Sequence, residues 1–228
     1  MALLIKFAPI LAMVAYAWFK MRGSERAMLR DLDNNSKRLA EGPLLAALQR
    51  FRSALGFNAL QVDVYDVEPI NGLAAPDGRI FLTRGLIDKY REGVFTRDEL
   101  AAVIAHEIGH LSLGHHERRR KAWKVETAAR AAASAFLPAA LRGLNGQIGN
   151  LIARLLQMRL SRTDEYQADA FAVALMRRSG MDPAASITLL QKLEALAKGR
   201  GTPISWLASH PPMPKRIAAI QRAIDSVS

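Results

Sequence analysis

Hydrophobic and polar positions follow two different periods along the chain, and each period predicts a different kind of element. Residues 61–67 alternate apolar and polar side chains, which predicts a half-buried strand. The turn sequence Ala-Pro-Asp-Gly at 75–78 leads into a second predicted strand at 79–83. Helical patterns bounded by glycine and proline are predicted at 24–55 with a break at Gly42-Pro43, at 151–179, at 183–197 and at 214–226. The pattern predicts a mostly helical α+β fold with a small β-sheet.

A further helix follows the second predicted strand and carries the candidate chemistry. Thr96-Arg97-Asp98-Glu99 has the form of a capping box, with Thr96 at the N-cap. The apolar residues after it contain no proline, so the helix should continue, largely buried, through His106-Glu107-Ile108-Gly109-His110. Residues four apart share a helix face, so His106 and His110 can bind one zinc ion, with Glu107 beside them to take a proton from a metal-bound water. On the motif alone, a structural helix with hydrogen-bonded histidines remains the alternative.

A catalytic zinc needs three protein ligands and an open position. The chain contains no cysteine, so the third ligand must be a histidine, aspartate or glutamate. Glu165 and Asp169 lie four residues apart in the predicted helix at 151–179 and share a face. Glu165 can reach the metal while Asp169 reaches a ligating imidazole. Two acids on a helix are ordinarily solvated, but beside an H-E-x-x-H helix they become candidates.

The formal charge of +11 bears on partners. A dense basic run covers residues 118–121 and is followed by Lys124, without the arginine–aromatic interleaving typical of nucleic-acid binding. Attraction to anionic membrane lipid is therefore the better interpretation, and a solvated helix face is the alternative. The apolar stretch at 131–141 is too short to span a bilayer and is interpreted as a buried helix, with a membrane-surface segment as the alternative.

Residues 3–19 are apolar except for Lys6, which is close to the shortest span that crosses a bilayer. We interpret residues 1–22 as a retained N-terminal transmembrane anchor rather than a cleaved signal segment, and residues 23–228 as the catalytic domain. Four basic residues follow the apolar stretch, at positions 20, 22, 26 and 30. The positive-inside bias then predicts a single-pass inner-membrane protein with a cytoplasmic rather than periplasmic domain.

Three motifs in order carry a family resemblance: His106-Glu107-x-x-His110, then Ser161-Arg162-x-x-Glu165-x-x-Ala168-Asp169, then Ser209-His210-Pro211-Pro212 with Arg216 downstream. Over roughly residues 60–220 the chain resembles the HtpX and CAAX-prenyl-protease family of zinc metallopeptidases and their Oma-type relatives. The resemblance implies a gluzincin fold with the small sheet beside the active-site helix. It also implies one zinc ion per chain, held by His106, His110 and Glu165, with Glu107 as the catalytic carboxylate.

The resemblance extends to residues around these motifs. It implies that Asp169 orients a zinc-bound histidine and that Arg216 holds either the acidic pair or the loop around His210. His210 itself would stabilise the oxyanion or, in an inactive form, bind the metal; ordering a proline-rich loop is the alternative. The segment thought to lead to a substrate-binding edge strand comprises Asn71, Arg79, Ile80, Phe81 and Leu82. His115 and His116 match no motif and are expected to face solvent.

The implied function is a membrane-anchored zinc endopeptidase that binds a polypeptide as an extended strand. Its implied substrates are unfolded or misassembled proteins, within membrane protein quality control. One alternative is a zinc-binding, self-occluded adaptor or chaperone-like protein with little protease activity. Another is a structural subunit of a membrane complex, and association with such a complex or as a homo-oligomer is compatible with the sequence.

Overall fold

The computed structural model of the chain describes residues 23, 25–115, 117, 118, 121, 162–199, 204–206, 210 and 214–226. Two compact units divide the chain: residues 1–31 with 114–163, and residues 32–113 with 164–228. The second unit contains the sheet and the residues of the predicted metal site. The predicted anchor at 1–22 and the apolar stretch at 131–141 lie outside the described residues. In the described part of the chain, no helix combines the length and the apolarity needed to cross a bilayer.

Four short strands form one sheet in the order β1-β2-β4-β3. The strands are β1 (Ser36–Arg38), β2 (Val62–Tyr65), β3 (Gly72–Ala74) and β4 (Ile80–Thr83). β2 and β4 pair in parallel, whereas β1 pairs antiparallel with β2 and β3 pairs antiparallel with β4. β2 and β4 confirm the two predicted strands. β1 and β3 were not predicted, because three residues are too few to show an alternating pattern.

The sheet order corrects one part of the predicted substrate site. β4 is an interior strand, hydrogen-bonded to β2 on one side and to β3 on the other. The main chain of residues 80–82 is therefore engaged within the sheet and cannot also pair with an extended peptide. Of the segment expected to lead to an edge strand, Asn71 directly precedes the edge strand β3, whereas residues 80–82 belong to an interior strand. The described sheet has two edge strands, β1 and β3, and β3 packs against the helix that carries the H-E-x-x-H motif.

Besides the helical residues 25–34, the described part of the chain contains six helices of eight or more residues. They are α1 (Gly42–Leu55), α2 (Arg84–Arg91), α3 (Arg97–Ser112), α4 (162–178), α5 (Ala185–Lys198) and α6 (Pro214–Asp225). The helix predicted over 24–55 is wrong at 36–38, where β1 forms, although residues 25–34 and 42–55 are helical. α4 ends where predicted: Gly180 adopts a left-handed φ of 67°, and Met181 N–H donates to the Met176 carbonyl at 2.9 Å.

α3 is the central helix of the catalytic unit and packs against α1, α5 and β3. Its predicted capping box is confirmed: Thr96 N–H donates to Glu99 Oε2 at 2.7 Å, and Glu99 N–H donates to Thr96 Oγ1 at 3.2 Å. Lys192 Nζ of α5 also donates to Glu99 Oε2, at 2.9 Å. Every residue from Glu99 to His110 is buried, as the apolar run predicted. The motif helix is therefore held at its start and enclosed along its length.

Candidate metal centre

The site begins with a close crossing of α3 and α4. A Cβ atom added to Gly109 would lie 3.0 Å from the Ala168 Cα and 3.1 Å from the Ala168 carbonyl oxygen. Gly109 therefore lets the backbones of the two helices approach more closely than any other residue would allow. Because Glu165 and Asp169 flank Ala168 on α4, this approach brings both carboxylates to the face of α3 that carries the histidines.

Four buried side chains converge at this crossing. His106, His110, Glu165 and His210 each offer one ligand atom, and these atoms lie within 4.8 Å of one another. His106 Nε2 lies 3.1 Å from His110 Nε2 and 3.4 Å from Glu165 Oε2, while His110 Nε2 lies 3.4 Å from Glu165 Oε1. Two atoms that each bind a tetrahedral zinc ion at about 2.0–2.1 Å lie about 3.3 Å apart. The spacing and the imidazole–carboxylate donor set both fit zinc.

Asp169 and Arg216 lie behind the His106 imidazole. His106 Nδ1 donates to Asp169 Oδ1 at 3.0 Å, which fixes the tautomer that leaves Nε2 as an electron-pair donor towards the cluster. Arg216 Nε and Nη2 donate to the two Asp169 oxygens, both at 2.7 Å. Arg216 Nη1 lies 3.2 Å from Glu165 Oε2. The residues that the three sequence motifs supplied thus meet in one contiguous hydrogen-bonded group.

His210 lies between two carboxylates. Its Nδ1 is 2.9 Å from Glu165 Oε2, and its Nε2 is 3.4 Å from Glu107 Oε1. Nδ1 also lies 3.3 Å from His106 Nε2. Glu107 is itself buried and is adjacent to the first histidine on α3. Glu107 and His210, both of which the sequence analysis identified as candidates, therefore lie at the cluster.

Trp206 is part of the site although the sequence analysis did not identify it. Its ring packs against those of His210 and His106, with centroids 4.3 and 5.3 Å away. Its backbone N–H donates to the Ile70 carbonyl just before β3, and its carbonyl accepts from His210 N–H at 2.7 Å. Trp206 thereby joins the start of the edge strand to His210. Its position four residues before His210 was the available signal, because one helical turn puts such residues on one face.

Burial and hydrogen bonding shift the histidines in opposite directions. Burial lowers the pKa of His106, but its hydrogen bonds to Asp169 and Glu165 outweigh burial and raise the pKa from 6.5 to about 9. Burial lowers the pKa of His110 to about 3 and that of His210 to about 4, against the opposing effect of Glu165. His110 and His210 are therefore neutral near pH 7, the form in which an imidazole binds a metal.

The carboxylates of Glu165 and Asp169 are ionised. Burial tends to raise the pKa of Glu165, but hydrogen bonds from the three histidines outweigh it and hold the pKa far below its usual range. Burial opposes the ionisation of Asp169 too, while hydrogen bonds from Arg216 and then His106 lower its pKa. Burial tends to lower the pKa of Arg216, yet its hydrogen bonds to Asp169 raise it. Glu165 therefore offers an ionised carboxylate to a divalent cation, while Arg216 remains charged beside Asp169.

The residues predicted to bind substrate lie just before β3 (Asn71) and at β4 (Arg79 to Leu82). Asn71 immediately precedes the edge strand β3, and its N–H donates to Thr83 Oγ1 at 2.9 Å. The Arg79 guanidinium pairs with Asp33 and Asp77, both at 2.7 Å. His115, expected to face solvent, is fully buried, so that prediction is wrong. His116 lies outside the described residues.

A buried H-E-x-x-H helix, completed by a glutamate from a second helix, defines a class of zinc metallopeptidases. The comparisons with known proteins agree: the chain belongs to Peptidase family M48, which it matches over residues 40–224. It is a zinc-dependent metalloendopeptidase. It is 31% identical to Metalloprotease LoiP of Escherichia coli over 178 residues, which are 76% of this chain and 68% of that protein.

Two further relatives have comparable similarity. Metalloprotease YcaL of Escherichia coli is 30% identical over 78% of this chain and 69% of its own length. Mitochondrial metalloendopeptidase OMA1 of Schizosaccharomyces pombe is 29% identical over 76% of this chain and 50% of its own length. The resemblance to zinc metallopeptidases that the three motifs indicated is thereby confirmed.

Proposed function

We propose that His106, His110 and Glu165 hold the catalytic zinc and that Glu107 is the proton-transfer group. One observation carries this assignment: three ligand atoms lie at the spacing of a tetrahedral zinc site, and Asp169 fixes the tautomer of His106. A zinc ion held by these residues would lower the pKa of a water molecule towards about 7 and would polarise the scissile carbonyl.

The residues of the chain move the protons. As the water oxygen attacks the scissile carbon, a carboxylate oxygen of Glu107 takes the proton and later delivers it to the leaving amine nitrogen. The C–N bond then breaks to give a carboxylic acid and an amine, and transfer of the remaining proton leaves a carboxylate and an ammonium group. Burial keeps His210 neutral, so one ring N–H is available to donate to the carbonyl oxygen as negative charge develops there. The buried position of Glu107 keeps bulk water from competing for its proton.

The test of this assignment is Glu107→Gln, which removes the base and preserves the shape of the side chain. We expect zinc content to stay at one ion per chain and cleavage of unfolded casein to fall by at least about 100-fold. Glu92→Gln is the matched control, because Glu92 is an exposed carboxylate that pairs with Lys89. Cleavage by Glu107→Gln at the wild-type rate would refute the mechanism.

The proposed substrate is an unfolded polypeptide that adds to β3 as an extended strand. β3 is the edge strand of the described sheet that packs against α3, so a peptide paired with it would pass close to the cluster. In this proposal β3, rather than residues 79–82, is the strand that pairs with the substrate peptide. Peptides whose backbone amides are N-methylated at alternate positions test it, because methylation removes the donors needed for pairing. We expect such peptides to be cleaved poorly, and equal cleavage would exclude strand addition.

A second candidate function is favoured by the position of His210. Its ring lies as close to Glu165 and His106 as the other ligand atoms do, so it can act as a fourth protein ligand and close the open position. The chain would then be a self-occluded zinc protein with low basal activity. His210→Ala separates the two: cleavage rises if the ring blocks the metal and falls if the ring stabilises the oxyanion.

Membrane association is proposed from the distribution of charge. Residues 32–113 and 164–228, which contain the site, have 17 Lys and Arg against 17 Asp and Glu. Residues 1–31 and 114–163 have 15 against 4, so they carry the entire surplus of +11 and also the two apolar stretches. We assign residues 1–22 as the anchor, residues 23–228 as the catalytic domain and the basic segments to contact with anionic lipid.

Vesicle flotation of the full chain tests this division. We expect flotation with vesicles of phosphatidylglycerol and phosphatidylcholine that is weakened, but not abolished, by 0.5 M salt, because salt screens the lipid charge and leaves an inserted anchor in place. Complete release by salt would remove the anchor from the proposal. Protease accessibility in sealed inner-membrane vesicles tests the proposed cytoplasmic side and the envelope quality-control setting.

A further inference from the structure

Arg216 is the largest fully buried side chain among the described residues, with 1% of its surface exposed. A buried guanidinium costs several kcal/mol of desolvation unless it is paired and hydrogen-bonded. Fold stability alone rarely explains such a group, because apolar side chains of similar volume often stabilise as well. The contacts of Arg216 must therefore account for its position.

Those contacts join three parts of the site. The Nε and Nη2 atoms form a two-pronged pair with Asp169, and Nη1 reaches Glu165 Oε2 at 3.2 Å. Nη1 also donates to the His210 carbonyl at 3.5 Å. Because the guanidinium is planar and rigid, these contacts fix the two carboxylates relative to each other.

The fixed geometry passes to the histidine. Asp169 Oδ1 accepts from both Arg216 Nη2 and His106 Nδ1, at 2.7 and 3.0 Å. The plane of the Asp169 carboxylate, set by the guanidinium, therefore sets the rotation of the His106 ring. Arg216 thus constrains two of the three proposed ligands. It contacts Glu165 directly and acts on His106 through Asp169.

Removing Arg216 would have opposite effects on zinc affinity depending on whether it positions the ligands or acts through its charge alone. A cation beside Glu165 and Asp169 repels a divalent metal, so removing it would strengthen zinc binding. Removing a group that holds the ligands in place would weaken it. The sign of the change in zinc affinity therefore distinguishes positioning from electrostatics.

We propose that Arg216 is a positioning residue of the metal centre, which locks the Asp169–His106 pair and Glu165 into one metal-binding geometry. The proposal rests on the ligand assignment given under Proposed function. It goes beyond that assignment because Arg216 lies on α6, a helix that supplies none of the three proposed ligands. A residue of this helix would nevertheless fix the positions of the ligands.

The experiment compares Arg216→Lys, which retains the charge without the planar fork, with Arg216→Gln, which loses both. Zinc affinity is measured by competition with a chromogenic chelator, and the stability of the zinc-free protein by urea unfolding. We expect both variants to bind zinc about 10–100-fold more weakly than the wild type. Tighter or unchanged binding in either variant would overturn the proposal.

Arg177→Gln is the matched control. Arg177 Nη2 donates to the Ile224 carbonyl at 2.7 Å and so fastens α4 to the far end of α6. We expect this variant to lose stability and retain wild-type zinc affinity. Cobalt(II) substitution adds a spectroscopic test: the visible d–d bands should shift in the Arg216 variants and not in Arg177→Gln. A zinc affinity that falls equally in the control would mean that loss of stability, not positioning, is responsible.

A double-mutant cycle covers the case in which Arg216→Gln does not fold. Asp169→Asn combined with Arg216→Lys should weaken zinc binding less than the product of the two single effects, because Arg216 acts through Asp169. Full additivity would overturn the proposal. His110→Ala, which leaves the Arg216 contacts intact, must lose zinc; if it retains wild-type affinity, the ligand assignment fails independently of the role of Arg216.

Discussion

Gly109→Ala perturbs the crossing of α3 and α4 by a single methyl group. That methyl would lie 3.0 Å from the Ala168 Cα, 3.1 Å from its carbonyl oxygen and 3.3 Å from the Phe171 Cβ, where ordinary contact is 3.4–4 Å. Two of the three obstructing atoms belong to the backbone and cannot rotate away. The helices must therefore separate by about 0.4 Å, and Glu165 moves with α4.

Stability and metal affinity should respond differently to this change. Overpacking costs about 1–3 kcal/mol, and replacing glycine by alanine within a helix returns about 1 kcal/mol. The free energy of unfolding of the zinc-free protein should thus fall by about 0–2 kcal/mol. Zinc affinity should fall about tenfold, because metal–ligand distances stay within about 0.2 Å of their usual values and a shift of about 0.4 Å exceeds that range.

Urea unfolding in the presence of a chelator and competitive zinc titration measure the two quantities separately. Gly42→Ala is the control, because its added methyl would meet nothing within 4 Å at the start of α1. It should leave zinc affinity unchanged and alter stability by less than about 0.5 kcal/mol. If Gly109→Ala binds zinc as tightly as the wild type, the close crossing does not position Glu165 and the reasoning is refuted.

Three further outcomes are expected. Removing zinc with a chelator should lower the thermal midpoint, and restoring zinc at 100 times its Kd should recover about 2.7 kcal/mol; an unchanged midpoint would exclude a metal bound to the folded state. Burial alone would raise the pKa of Glu99, but Lys192 and Thr96 lower it below 4.5, so its stabilising contribution is present above that pH and lost below it. Urea midpoints should therefore differ between wild type and Glu99→Gln at pH 7 and converge progressively as the pH falls below 4.5, and a constant difference would contradict this sign. Gly72→Ala would put a methyl 2.6 Å from Val103 Cγ1 and should cost about 1–3 kcal/mol by urea unfolding; a neutral effect would mean that β3 shifts freely from α3.

Local patterns predicted much of the candidate site. The four-residue spacing of His106 and His110, and that of Glu165 and Asp169, depends only on helix geometry, which neighbouring residues set. The capping box at Thr96 is local for the same reason, and its hydrogen bonds are present. The order of the three motifs then indicated that residues separated by more than 50 positions belong to one site, and the structure brings them together.

Other features depend on contacts between distant segments. The edge strand is β3 rather than β4, because residues 62–65 pair in parallel with residues 80–83 and enclose β4 in the sheet. No local sequence pattern encodes this pairing, because β3 and β4 are both apolar enough to be an interior strand of the sheet. The same holds for Trp206, which reaches the cluster through the Ile70 carbonyl.

The chemical groups of the site can therefore be predicted from residue spacings within single helices. The geometry of the site depends instead on how the helices pack against one another. Ligand type, ligand spacing and the acid beside the first histidine follow from residues one helical turn apart. The burial of Arg216, the approach of α3 to α4 at Gly109 and the choice of the edge strand follow from packing energies summed over the whole core. These packing energies depend on contacts between distant segments, so the features that they determine cannot be predicted from any one stretch of sequence.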